Sequence, residues 1–228
     1  MKRAQLLLLL LTAACTHMQA QVGEARHTLA VGINGGYMLN RVSFDPTIKQ
    51  AFKGGATFGI TARYTSEKYL TAICALQAEL VYANLGWCED IETSTDTYSR
   101  DVHYLQLPLL TRLGWGREQH GAQFYLLLGP QIGCYIGESE HRSTPWDGQP
   151  RPNNVTAQYD LKVQHTLEYG LTGGMGLEVS TRAGHFLIEG RYYYGLSDMF
   201  DNGKKDPFGR SASGTIIAKA TYLIDITK

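Results

Sequence analysis

The sequence predicts an all-β protein: an eight-stranded antiparallel up-and-down transmembrane β-barrel with short periplasmic turns and long outer loops. Three observations predict it. Apolar and polar residues alternate with period two in eight successive segments, the connections between them alternate strictly between short and long, and the polar face carries equal numbers of acids and bases. Composition agrees, because 43% hydrophobic and 18% charged residues with 25 glycines and 14 tyrosines suit strands and tight turns better than helices. Lys plus Arg and Asp plus Glu both number 21 in the 228 residues, so the chain lacks the basic excess that nucleic-acid binding requires. Beyond the first residues no stretch approaches the roughly 18 apolar residues of a spanning helix.

The first twenty residues read as an export signal. Lys2 and Arg3 precede the apolar run from Leu6 to Leu11, and Thr12, Ala13 and Ala14 follow it. Cleavage is expected between Ala20 and Gln21, which leaves 21–228 as one outer-membrane barrel domain. The alternative is lipidation at Cys15 within Leu11-Thr12-Ala13-Ala14-Cys15, where the leucine stands one place too far from the cysteine. The mature chain keeps Cys74, Cys88 and Cys134, an odd number that gives no disulfide framework and reads as free thiols.

Taken in order, the first segment sets Leu29, Val31 and Ile33 against Thr28 and Asn34. The second opposes Phe58, Ile60 and Tyr64 to Thr57, Thr61 and Arg63; the third, about 70 to 88, opposes Leu76, Ala78, Leu80 and Tyr82 to Gln77 and Glu79. Between His103 and Leu113, Leu105, Leu107 and Leu109 alternate with Tyr104, Gln106, Leu110 and Arg112. The fifth opposes Phe124, Leu126, Leu128, Ile132 and Ile136 to Gln123, Tyr125, Gln131 and Tyr135. From Gln164 to Ser180 the alternation marks a strand of about 17 residues. The last two carry Phe186, Ile188, Tyr192 and Tyr194 against Glu189, Arg191 and Tyr193, then Ile216, Ala218, Ala220, Tyr222 and Ile224 against Thr215, Lys219, Thr221 and Asp225. Short connections fall near Ser66 to Tyr69, Gly116 to Gly121 and Thr181 to Gly184; long ones cover about 39–53, 89–101, 138–163 and 197–210.

A soluble eight-stranded barrel shares this meander, so the decision rests on which face is apolar. The polar face carries Arg63, Glu79, Arg112, Glu168, Glu178, Glu189, Arg191 and Lys219, four acids and four bases that can pair inside a narrow lumen. Arg191 is expected to pair with Glu189 or Glu178. The apolar face carries aromatics in two sets: Tyr64, Trp115, Phe124, Phe186 and Tyr222 toward the periplasmic end, Tyr37, Tyr82, Tyr169 and Tyr194 toward the outer end. Phe186 and Tyr194 span roughly 20 Å of height on a tilted strand, close to the apolar band of such barrels. The apolar face therefore points outward, the two sets read as interfacial girdles, and the expected location is the outer membrane of a Gram-negative bacterium.

Six segments resemble the PorT-like outer-membrane β-barrel proteins of the Bacteroidetes type. They are Gly32-Ile33-Asn34-Gly35-Gly36, the run Gln77 to Tyr82, the run Tyr104 to Leu110, Leu128-Gly129-Pro130-Gln131-Ile132-Gly133, Gly173 to Glu178 and Glu189 to Gly195. The resemblance covers nearly the whole mature chain and implies an eight-stranded outer-membrane barrel. It also implies a role in type IX secretion, through contacts with secretion-machinery proteins and outer-membrane lipid. The chain ends in Ile224-Asp225-Ile226-Thr227-Lys228, where such barrels commonly finish on an aromatic residue.

Other motifs are weak. Asn154-Val155-Thr156 fits a glycosylation sequon, but the export signal is of bacterial type. Asp198, Asp201, Gly203 and Asp206 miss the EF-hand spacing, and no two histidines stand at i and i+2 on one strand face, so no metal site is expected. No phosphate loop, nucleophile elbow or cofactor motif is present, and His165 lacks a catalytic constellation in its sequence neighbours. The leading expectation is a non-enzymatic barrel supporting secretion or envelope assembly. The alternative is a surface adhesion or ligand-binding barrel acting through its outer loops; an outer-membrane lipid-modifying enzyme ranks third. No small-molecule substrate is evident. In the 138–163 loop, Ser143, Thr144, Pro145, Trp146, Asp147, Gly148, Pro150 and Pro152 combine turn formers with an aromatic expected to be exposed as a contact surface.

Overall fold

The computed structural model describes residues 24–227 apart from 93, 119 and 147–154. The expected signal peptide lies outside the described residues, as do Asn154 and the Asp147 to Pro152 part of the outer loop. Among the described residues the chain forms β1 (Glu24–Asp45), β2 (Gln50–Ala51), β3 (Lys53–Tyr69), β4 (Ala72–Glu89), β5 (Tyr98–Gly116), β6 (Gly121–Arg142), β7 (Leu167–Thr181), β8 (Gly184–Asp198) and β9 (Arg210–Thr227). Every long strand pairs antiparallel with its sequence neighbour, and β1 pairs with β9 from Leu29↔Thr227 to Asp45↔Arg210. Eight strands thus close into an up-and-down ring, with β2 a two-residue addition beside the outer end of β4. Closure is what a bilayer demands, because lipid offers no partner for an unpaired strand edge.

Three turns at the periplasmic end are tight. In two of them Gly116, Gly121 and Gly184 adopt positive φ (139°, 157° and 140°), a conformation β-carbon-bearing residues rarely adopt, and in the turn between β3 and β4 Leu70 takes φ 54°. The outer connections are shorter than the sequence suggests. β1 continues to Asp45, β4 to Glu89 and β6 to Arg142, while β7 begins at Leu167 instead of Gln164.

The reason the extension was hidden is a switch of face. Within the band the outward positions are apolar, for example Ile33, Ile60, Leu107, Leu128, Leu171 and Ile188, all exposed. Above it the inward positions turn apolar: Met38, Val42 and Phe44 on β1, Val81, Leu85 and Trp87 on β4, Tyr98 and Val102 on β5, all buried. The outward positions there become polar, with Asp101 taking an ion pair from Lys53 at 2.8 Å. Period two persists, but the surroundings change from lipid to water and the favoured face inverts.

Two apolar clusters result. Ala30, Leu110, Tyr125, Leu127, Leu187 and Leu223 cross the lower lumen, and a larger one fills the outer end. Leu128 lies midway along the lipid face of β6 between Phe124 and Ile132, which pairs with Tyr169. Leu128→Arg should cost about 2–4 kcal/mol and Ile136→Arg, beyond Ile132, about 0–1 kcal/mol, read by urea unfolding in lipid vesicles. Equal costs at the two positions would contradict the assigned band.

Candidate functional site

All eight charged residues read as luminal are buried, each at 5% exposure or less. The structure brings seven of them into two clusters. In the middle, Glu79 and Glu189 face Arg191 and Lys219. Arg191 donates Nη1 to Glu79 Oε2 at 3.0 Å and Nη2 to Glu79 Oε1 at 2.5 Å, and also reaches Glu189. Lys219 Nζ lies 2.7 Å from Glu79 Oε2. Arg191 therefore pairs with Glu189 as one of its two expected partners, whereas Glu178 is engaged elsewhere and Glu79, across the lumen, takes its place. Gln77 completes this set by donating to Glu79 at 2.8 Å.

Nearer the periplasm, Glu178 is shared by Arg63, at 2.8 Å, and Arg112. Tyr125 ties the two clusters together: the Arg112 guanidinium stacks 3.5 Å over its ring, and its hydroxyl donates to Glu189 at 2.7 Å. The eighth residue departs from the expectation of four acid–base pairs. Glu168 has no cationic partner among the described residues and accepts a hydrogen bond from Gln106 at 3.2 Å. Balance in number is thus not balance in place: the lower cluster carries one surplus positive charge and the upper lumen one acid without a base. The cause is topological, since strand order fixes which luminal positions meet and Glu168 meets Gln106 and Gly133.

The lower cluster includes a constellation that spacing did not show. Nδ1 of His185 lies 2.6 Å from Oε1 of Glu178 and 2.9 Å from Oγ of Ser180, and Nε2 lies 3.0 Å from Oδ1 of Asp225. Serine, histidine and acid meet here, yet both ring nitrogens face carboxylates. Ser180 turns its own hydroxyl to Glu178 at 3.2 Å. A nucleophile needs a ring nitrogen free to take its proton, and here Glu178 and Asp225 engage both. At the outer edge His165 is similarly engaged, by Asp201 at 3.0 Å and by the Asp198 carbonyl at 2.9 Å.

The nine aromatic candidates all face away from the lumen; seven are exposed, and Tyr82 and Tyr222 are half-buried. Neighbouring strands bring some into ring contact, Phe186 with Tyr222 at 4.9 Å and Trp115 with Phe124 at 6.5 Å between centroids.

The outer end is a folded cap. Ile48 from the first long connection, Val155 from the third, and Met199, Phe200 and Phe208 from the fourth pack with Phe44, Leu85, Trp87, Tyr98 and Val102 of the strands, and Ile91 of the second lies against them. Arg100 is locked inside at 1% exposure. Its guanidinium meets Glu138 at 2.5 Å and Glu140 at 3.0 Å, donates to the Gln158 carbonyl at 3.2 Å, and lies over the rings of Trp87 and Phe200. Glu89 fastens the third connection by accepting from Gln158 at 2.8 Å and from Tyr159 at 2.7 Å. In the first connection Lys49, exposed beside Glu92 and Asp90, is raised above the ordinary lysine pKa, chiefly by its hydrogen bond to Glu92.

Trp146 was expected as an exposed contact residue. It is half-buried against this cap, edge-on to Tyr159 at 5.3 Å, with the Arg142 guanidinium 5.6 Å from its ring. The expectation failed because turn formers around an aromatic mark a loop and say nothing of the apolar floor beneath it. Arg100 falls in the long connection expected over 89–101, although the alternation Tyr98, Arg100, Val102, Tyr104 carries the signal of a continuing strand.

Arg191→Leu strands Glu79 and Glu189 with Lys219 as their remaining cation and should destabilise the barrel by about 3–5 kcal/mol. Adding Glu189→Gln should restore part of that loss. A single substitution without effect on urea unfolding in vesicles would show that the cluster does not hold the strands.

The sequence profile of the outer membrane protein beta-barrel domain matches residues 19–201. A search of curated proteins finds no match. Solved structures similar to the chain include Ail, the attachment invasion locus protein of Yersinia pestis, in complex with the heparin analogue sucrose octasulfate. It is 16% identical over 87% of this chain and 100% of that one, with a TM-score of 0.40. OprG of Pseudomonas aeruginosa is 13% identical over 89% and 96%, with a TM-score of 0.44. Neisserial surface protein A is 13% identical over 85% and 96%, with a TM-score of 0.41. The matched profile spans most of the closed ring: the chain belongs to the outer membrane protein beta-barrel domain family, and its place is the outer membrane of a Gram-negative bacterium.

Proposed function

We infer that this barrel works at the cell surface, as a non-enzymatic binding or adhesion protein acting through its outer head. The observation that carries this reading is the cap, in which outer connections converge on one apolar core with Arg100 locked inside it. An ordered head presents its surface side chains in fixed positions, so a partner docking there is spared the entropy of ordering loops. A conduit calls for the opposite construction, an open lumen. Here ion-paired and apolar side chains fill the middle of the lumen, as expected for eight strands. Catalysis is disfavoured as well, because carboxylates occupy the nitrogens of His185 and Asp201 holds His165.

A strain lacking the gene should export cargo carrying the C-terminal sorting domain normally and lose surface binding. Complementation with a chain shortened between Ser143 and Val163, still heat-modifiable on gels, should fail to restore the binding. Cargo stranded in the periplasm would sink the surface reading and support the type IX secretion role that the PorT-like resemblance implies.

A further inference from the structure

The lumen is not filled along its whole height. A cavity of about 850 Å³ opens at the periplasmic end, bounded at its mouth by the Thr181 to Gly184 turn and at its head by Arg63, Arg112 and Gln123. This volume lies within the range of small-molecule sites. Four arginines line it, Arg26, Arg63, Arg112 and Arg182, against three acids, Glu118, Glu178 and Asp225. The acids are committed. Arg26 takes Glu118 at 2.7 Å, His185 takes Asp225 at 3.0 Å, and Glu178 is divided among Arg63, Arg112 and His185.

Three cations are left underused. At the head, Arg63 and Arg112 share one carboxylate, and Arg63 Nε and Arg112 Nη1 are buried donors without an acceptor. Both side chains are more than nine-tenths buried, so these idle N–H groups belong to fixed guanidinium forks and not to mobile surface chains. At the mouth, exposed Arg182 has no ion pair among the described residues. Buried donors of this kind call for an acceptor, and a guanidinium fork matches an oxyanion with two oxygens on one face. Gln123, which donates no charge and already accepts from Arg112 at 2.7 Å, keeps the fork in place.

We propose that the periplasmic vestibule is a binding site for a small oxyanion-bearing solute, of the phosphate or carboxylate class, held by Arg63 and Arg112 at its head and attracted by Arg182 at its mouth. The site lies at the opposite end of the barrel from the outer head and stands independently of the surface-binding reading. The ligand enters from the periplasm, where the turns leave the cavity open. It goes no further, because the ion-paired cluster of Glu79, Glu189, Arg191 and Lys219 fills the lumen beyond Arg63 and Arg112.

The test uses the mature chain in detergent micelles with ¹⁵N-arginine, and follows the Arg112 Nε–H resonance, which every variant retains, during titration with sodium phosphate or sodium succinate at fixed ionic strength. A saturable shift with one of these and none with chloride is expected, and the better of the two anions identifies the class. Arg63→Lys keeps a cation beside Glu178 but removes the idle donor, and should weaken binding by about tenfold, the loss of one charge-assisted hydrogen bond. Arg182→Gln, at an exposed turn where the fold is not at stake, should weaken it by about threefold. The proposal is overturned if the resonance stays unmoved with both anions, moves equally with chloride, or saturates identically in the two variants. If Arg63→Lys loses heat-modifiable folding, Arg182→Gln decides: affinity equal to that of the unsubstituted chain overturns the site.

Discussion

A strand that crosses hydrocarbon must find every backbone partner in protein, and in this chain that requirement is met when β1 and β9 pair over most of their length. The remaining architecture descends from that closure. Eight strands fix a bore too narrow for an open channel, so inward side chains meet across it and must suit one another. Charged residues placed there cannot be solvated by bulk water, and they persist by sharing carboxylates: Glu79 with Arg191 and Lys219, Glu178 with Arg63, Arg112 and His185. Breaking such a set is expensive because the partner charge remains buried. The ring thus dictates the plug, and the plug in turn braces the ring through contacts between strands far apart in sequence.

The same ring meets three environments along its axis, and its side chains follow them. Against lipid the outward face is apolar. Above the lipid the strands continue into water, the apolar residues move inside, and the outer connections complete a core around Arg100. At the periplasmic end the turns are too short to build a cap, and the lumen stays open as a basic vestibule. The barrel is therefore polarised in structure and in charge, with a closed apolar head outside, an open arginine-lined end inside, and Glu168 without a base in the upper lumen.

Much of this was legible from period two. The runs through Leu105, Leu107 and Leu109 or through Phe186, Ile188 and Tyr192 declare a lipid face as plainly in sequence as in structure, and the eight charged luminal residues lie on the opposite parity. Pairing was not legible, because Arg63 and Glu178 are 115 residues apart and meet only once strand order and register are known. Nor was the cap, since Tyr98 and Phe208 fall in the expected long connections and Trp87 at the very end of the third segment, and they look unrelated until one sees that the apolar parity has inverted above the band. The meeting of Ser180, His185 and Asp225 depends on two adjacent strand pairings, β7 with β8 and β8 with β9, which no local spacing encodes.

The inversion of faces is open to direct measurement through the chain's own tryptophans. Trp115 lies exposed on the lipid face and Trp87 is fully buried in the cap. Two variants that retain only one or the other, reconstituted in vesicles, can be quenched by brominated phospholipid from the bilayer and by acrylamide from water. Strong quenching of Trp115 by the brominated lipid and protection of Trp87 from both quenchers are expected. Quenching of Trp87 by lipid would mean that the apolar face never turns inward, and quenching by acrylamide would mean that the outer connections do not close over the barrel; either result would contradict the structure described.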